Sequence, residues 1–337
     1  MSKHDLKARP IYQHKRESID AHLTIVFAAL AISRWIEDRA GWSIKKFVKT
    51  ARRYRTVQIR AGSHLLTAED PLPNDLRAAL DRIHDGPLVA TNHGPFTTQS
   101  RRIYMEAAKH AWIVAISHAQ ARSSGGIPIA AVIHHGIDLD LYRPGPGDGG
   151  YLLFMGRMCA SKGVHVAVRV AKRSGWRLVL VTKIWEEDER AYFDHDVRPL
   201  LEPGDEMPAE QPLARRVQLL RGAHALLNPI QWPEPFGLVM AEALASGTPV
   251  LAFPNGSAPE IVESGRTGYL CKDEDEMVAA IEAVGTIKRA DCRSAAERRF
   301  SLARMARDHE RLYRRLLEER DPRPNDPLKV GDRSLSA

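Results

Sequence analysis

Two glutamates eight positions apart, Glu234 and Glu242, stand in the stretch WPEPFGLVMAEALASGTPVLAF. The first lies in a Pro-rich loop and the second one turn inside a helix expected to begin near Gly237. A carboxylate accepts two hydroxyl hydrogen bonds well, and a helix start draws phosphate. A glutamate on a helix is ordinarily solvated. Glu242, however, is flanked by Met240, Ala241, Ala243, Leu244 and Ala245, so it projects from an apolar surface, and Pro235, Phe236 and Gly237 bring the preceding backbone close to whatever binds there. A second group lies upstream, where MGRMCASKG sets Gly156 and Arg157 at the carboxyl end of an apolar run and Lys162 five residues later. That edge of a parallel sheet is where ligands bind. Lys183 ends the next apolar run, and His93 follows an earlier one in NHGPF, where a histidine often only caps or packs.

The elements that must hold these groups follow an α/β pattern beyond Asp85-Gly86-Pro87. PLVATNH is read as a strand, Thr97 to Lys109 as a helix and WIVAIS as a strand. RPGPGDGG, residues 143 to 150, is a turn or interdomain linker. Strands are then expected at 151–156, 177–182, 223–229, 248–253 and 268–271, with helices at 164–174, around 187–200, from 237 and at 258–264. Continuous apolar runs of this length between amphipathic helices suit a parallel sheet covered on both faces. The region between about 201 and 222 carries no clear pattern.

On these residues the chain resembles the family-4 glycosyltransferases, retaining enzymes of the GT-B type. The match rests on Glu234, the seven intervening residues, Glu242 and the following SGTPV, on the Gly156-Arg157 and Lys162-Gly163 pairs, and on a Gly-x-x-Pro-Glu pattern at Gly256 to Glu260. The resemblance implies that Glu234 contacts hydroxyls of the donor sugar and that Glu242 holds the ribose hydroxyls of the nucleotide. The amides around Phe236, Gly237 and Leu238 would face the diphosphate. Arg157 and Lys162 would neutralise the leaving diphosphate, with Gly156 and Lys183 beside them. His93 would reach the donor sugar from the other domain. The implied reaction is hexosyl transfer from a nucleotide-diphosphate sugar to an unknown acceptor, with no cofactor and no metal. Where many relatives read His-Asn-Gly, this chain has His134-His135-Gly136.

The expected fold is therefore α/β: a GT-B-like Rossmann C-terminal domain over 146–320, an incomplete N-terminal α/β domain over 85–145, and an added helical segment over 1–84. The opening strand and Gly-rich turn of a full first domain are absent, so an N-terminally shortened enzyme, either active or impaired, is expected, and 202–215 stands where the C-terminal domain has a middle strand. Residues 1–60 hold 14 Lys/Arg against 5 Asp/Glu, whereas the whole chain carries +7. This basic segment resembles the C-terminal tail of a DDE-type insertion-sequence transposase, with Tyr12, Lys15 and Arg16 matching and Asp20 in place of the family's Glu. One of three carboxylate ligands does not support metal-dependent strand transfer. Weak nucleic-acid binding by residues 1–60 is the partner it leaves, and a solvated helix face is the plainer reading. The alternative function is a catalytically inactive chimera that binds nucleotide or nucleic acid; a nucleotide-sugar epimerase on the same scaffold fits the paired glutamates less well.

Composition, at 44% apolar and 27% charged, is that of a globular protein. The longest apolar run is too short to span a bilayer, and the N-terminus lacks a signal-peptide core. Cytoplasmic residence is expected, with peripheral contact at the inner membrane face as the only membrane role. Cys159, Cys271 and Cys292 have no disulfide or metal spacing. The tail from Asp321 is Pro-rich and polar, as disordered segments are.

Overall fold

A computed structural model describes residues 30, 33–51, 56–61, 64–69, 73–83, 87–208 and 211–318. Tyr12, Lys15, Arg16, Asp20 and the tail from Asp321 lie outside the described residues. The chain divides into two compact units, Met1–Pro87 and Leu88–Ala337.

In the first unit, residues 33–40 form a helix (α1), followed by α2 (Ile44–Ala51), an antiparallel hairpin of β1 (Thr56–Ala61) and β2 (His64–Glu69), and α3 (Asn74–Ile83). The hairpin forms where the alternating stretch TVQIRAGSHLLTAE predicts it, pairing Thr56 with Glu69 and Ala61 with His64. On α2, Ile44 and Phe47 are half-buried while Lys45, Lys46 and Lys49 stay exposed, so the basic face is solvated. Ala40, Leu76 and Ala79 are buried, and the Arg82 guanidinium donates to the Ala40 carbonyl at 2.9 Å, closing α3 onto the end of α1.

The second unit holds two parallel sheets. The smaller has the order β3 (Leu88–Thr91), β4 (Ala111–Ala115), β5 (Ile129–Val132), with α4 (Thr98–Ala107) and α5 (His118–Arg122) between strands. The larger comprises β6 (Leu152–Arg157), β7 (Leu178–Lys183), β8 (Ala225–Asn228), β9 (Val250–Ala252) and β10 (Gly268–Leu270), in the order β10-β9-β8-β6-β7. Its connections are α6 (Val164–Ser174), α7 (Glu187–Tyr192), α8 (Leu213–Gly222), α9 (Leu238–Ala245) and α10 (Ala258–Ile261). The chain continues through α11 (Glu274–Val284), α12 (Arg289–Phe300) and α13 (Leu302–Glu318).

Alternation along each strand sorts side chains to two faces. Leu153, Val179, Leu226 and Val250 pack with Val217, Leu244 and Ala296, beneath α8, α9 and α12. Leu152, Phe154, Leu178, Leu180 and Leu227 pack with Val168 and Ile281, beneath α6 and α11. The strands are therefore apolar on both faces up to their carboxyl ends, as a doubly covered sheet demands. The strands leave the core at their carboxyl ends: Leu152 to Phe154 are buried, Met155 and Gly156 half-buried, and Arg157 exposed. Residues 143–150 form an irregular connection between the sheets, tied to the larger one by the Arg289 guanidinium, which donates to Gly145 O in the connection and to Ala223 O ahead of β8.

One expectation changes, and one stretch gains detail. The described residues of 202–215 form no strand; Glu206 alone pairs in parallel with Val179 at the β7 edge, accepting from Leu180 N at 2.8 Å and donating to Leu178 O at 2.9 Å. The unpatterned region contains the ten-residue helix α8, which buries Val217, Leu219 and Leu220. Among the described residues no helix is long and apolar enough to cross a membrane.

Candidate functional site

The carboxyl ends of β6 and β7 place two cations side by side, because the parallel register pairs Gly156 with Thr182 and Arg157 with Lys183. Both residues line a cavity of about 620 Å³, together with Lys162, Arg216, Glu234, Gly237 and Leu238. Like charges on neighbouring strands repel, and each is matched locally. The Arg157 guanidinium donates from Nε and Nη2 to Glu189 Oε1 at 2.8 and 2.6 Å. Lys183 Nζ sits 3.4 Å from the ring centroid of Trp185.

Lys162 closes a short helical turn, Ala160–Lys162, before α6 and forms an ion pair with Glu234. The same carboxylate oxygen of Glu234 accepts from the Trp232 indole at 3.1 Å. The loop that carries Glu234 is set by Gly256, whose φ of 58° and close packing leave no room for a side chain: a Cβ there would lie 2.3 Å from Glu234 N and O. Ser257 completes the support, its amide donating to Glu234 O and its hydroxyl to Phe236 O.

Gly237 adopts the left-handed conformation at φ 78° and opens α9 with no side-chain cap, so the first amides of that helix are not satisfied by a capping side chain. Glu242, one turn in, is not part of the cavity lining. Its carboxylate accepts a 2.8 Å hydrogen bond from Tyr142 Oη. Burial raises the Glu242 pKa, opposed by that hydrogen bond and by the Arg216 charge. Arg216 itself has a buried Nε with no hydrogen-bond partner among the described residues.

Phe236 is buried, its ring set among His134, His135 and Phe300. His93 is exposed and stacks on His135, centroids 5.1 Å apart, on the Phe236 side and outside the cavity lining. Burial first, and His93 second, push the His135 pKa down to about 4. The structure thus brings Gly156, Arg157, Lys162, Lys183, Glu234, Gly237 and Leu238 to one cavity, and leaves Glu242, Phe236 and His93 beside it. Sequence reasoning missed Arg216, Tyr142 and Glu189. Arg216 and Glu189 lie in stretches without a motif, and Tyr142 sits just before the stretch that reads as a linker. Among the described residues no group of three or more His, Cys, Asp or Glu side chains is arranged to hold a metal.

A parallel α/β body with a cavity at its strand ends whose charged groups are mainly cationic, and a smaller parallel sheet preceding it, is of the GT-B type. Residues 144–299 match the family Glycosyl transferases group 1. The glycogen synthase of Mycobacterium tuberculosis is 28% identical over 301 residues, 79% of this chain and 67% of that protein. The solved structure of AviGT4, a glycosyltransferase involved in avilamycin A biosynthesis, is similar at a TM-score of 0.54 and 33% identity, over 61% of this chain and 64% of that one. Anabaena HepE, solved in complex with UDP and glucose, shares the fold at a TM-score of 0.60 and 22% identity, over 69% and 73%. The chain spans about two thirds of the length of the first two.

Proposed function

We propose that this protein transfers a hexose from a nucleotide-diphosphate sugar to an acceptor hydroxyl, with retention at the anomeric carbon. The observation that carries the reading is the convergence of Arg157, Lys162, Lys183 and Arg216, with Glu234, on one cavity at the carboxyl edge of a parallel sheet. Four cations against one carboxylate suit a ligand with more than one negative charge, and the start of α9, which has no side-chain cap, adds a further attraction. The similarity to group 1 glycosyltransferases, and the UDP and glucose held by HepE, support the same assignment.

In this reading Arg157 and Lys162 neutralise the nucleoside diphosphate as its bond to the sugar breaks, which is the electrostatic work expected to dominate such a step. The acceptor oxygen bonds to the anomeric carbon on the face the diphosphate leaves, and its proton passes to a phosphate oxygen. The cations supply the charge for this without a metal. Glu234 accepts sugar hydroxyls, Glu242 accepts those of the ribose, and His93 reaches the sugar from the side of the smaller sheet. Isothermal titration of the full chain with uridine, guanosine and adenosine diphosphates tests the donor site. Wild type binds one of them, and Glu242→Ala weakens it by about 1.5–3 kcal/mol, the scale of a lost hydrogen bond to a charged group. Absence of binding by wild type, or equal binding by the variant, overturns the assignment. Transfer or hydrolysis across a panel of nucleotide sugars in the presence of EDTA tests the reaction.

A further inference from the structure

Glu189 is 2% exposed yet belongs to none of the groups that line the cavity. Each of its carboxylate oxygens has a separate task. Oε1 accepts both Arg157 Nε and Nη2, at 2.8 and 2.6 Å. Oε2 accepts the main-chain amides of Trp185 and Glu186, at 2.9 and 3.4 Å, at the entry to α7. The carboxylate is therefore fixed to the backbone that leaves β7, and it holds the guanidinium from one edge. A guanidinium has five N–H donors in a rigid plane. With Nε and one Nη2 hydrogen engaged, the Nη1 edge remains for a ligand in the cavity that Arg157 lines.

Arg157 stands opposite Lys183 on the adjacent strand, so without a counter-ion the flexible arginine swings away from its neighbour. A carboxylate close behind an anion site weakens anion binding by simple Coulomb repulsion. It is retained to advantage only if orienting the cation is worth more than the repulsion costs.

We propose that Glu189 is a positioning residue: it holds Arg157 with the free edge of its guanidinium toward the cavity, so that a pyrophosphate group is bound by a preset cation. The inference rests on the diphosphate-binding reading above. It predicts a sign opposite to Coulomb's law, since removing the negative charge of Glu189 weakens an anion.

The test is titration of the full-length protein with inorganic pyrophosphate and with the nucleoside diphosphate it binds best, using wild type, Glu189→Gln, Arg157→Ala and the double variant. The expected result is about tenfold weaker pyrophosphate binding by Glu189→Gln, as is common when a group that orients a ligand-binding side chain is removed. Affinity for the bare nucleoside stays the same, and the double variant is no weaker than Arg157→Ala. Unchanged or tighter pyrophosphate binding by Glu189→Gln overturns the proposal, as does an additive loss in the double variant, which marks a role independent of Arg157. If wild type binds neither ligand, the donor-site reading falls instead. Should Glu189→Gln fail to fold by circular dichroism, Arg157→Lys decides the matter. A lysine keeps the charge but has one ammonium to share, so pyrophosphate binding drops by a similar factor if Glu189 engages it and stays within about twofold if charge alone matters.

Discussion

The carboxylate of Glu242 illustrates how a side chain acquires its chemistry from neighbours far along the chain. Burial raises its pKa, while the hydroxyl of Tyr142, a hundred positions earlier, donates to it and lowers it. The charged form is the one that accepts ribose hydroxyls. Nucleoside diphosphate affinity is therefore expected to fall on acidification at a pH above the ordinary glutamate value of about 4.3. Tyr142→Phe removes the stabilising donor and moves that midpoint upward. Titrations from pH 7.5 to 5 on the two proteins, compared with each other so that ionisation of the ligand's own phosphate cancels, check this; coincident profiles would count against it. At this scale the site was legible where types and spacing sufficed: Arg157, Lys162 and Glu234 share a cavity because each follows a recognisable run. Tyr142, Arg216 and Glu189 were not legible, because nothing in residue order ties position 142 to 242 or 189 to 157. Gly256 was legible as part of a pattern. Its reason, a backbone approach to Glu234 that excludes any Cβ, is visible only in three dimensions.

Among the elements, α5 and α10 are joined through a single side chain. Glu260, on α10, accepts the main-chain amides of His118 and Ala119 at the start of α5, at 2.8 and 2.6 Å, and a hydrogen bond from His134 Nε2 at 2.9 Å. Burial raises its pKa, but the partners outweigh that and leave it lowered. The carboxylate is therefore charged and fully used. Glu260→Ala is expected to cost about 2–4 kcal/mol of stability, because the part-buried Ala119 amide and His134 ring, together with the exposed His118 amide, lose their partner. Denaturant unfolding measures it, and a change below about 1 kcal/mol would contradict the assigned role. A folded pKa below the unfolded value gives stability that is present above the unfolded pKa and lost as pH falls through the folded one, so the difference between wild type and Glu260→Ala should narrow in acid. The elements of the larger sheet were read closely from apolar runs and turn residues. Helix α8 was not, since three arginines and a flanking proline hide Val217, Leu219 and Leu220. The Glu206 bridge was missed because one residue has no periodicity.

For the second unit as a whole, the two sheets are tied by the last helix. After α12 the chain pairs Ser301 with Ile137, and α13 returns to the smaller sheet, where Leu312 and Leu316 pack with Val114 and Ile133. Arg304 adds donors to the carbonyls of His134 and His135 at 2.7 and 3.0 Å. Leu312→Ala is expected to destabilise the unit by about 2–4 kcal/mol, the usual cost of truncating a buried leucine. Thermal melting should show it without a matching loss of pyrophosphate affinity, since the cavity lies in the larger sheet. Such a return has a consequence in time. During synthesis the apolar face formed by Val114 and Ile133 emerges about 180 residues before its cover, which at ordinary ribosomal rates is a delay of roughly 10–40 s. Through that interval the nascent smaller sheet must remain uncovered or be sheltered by a chaperone, so a ribosome that pauses late in the message leaves this face open to aggregation.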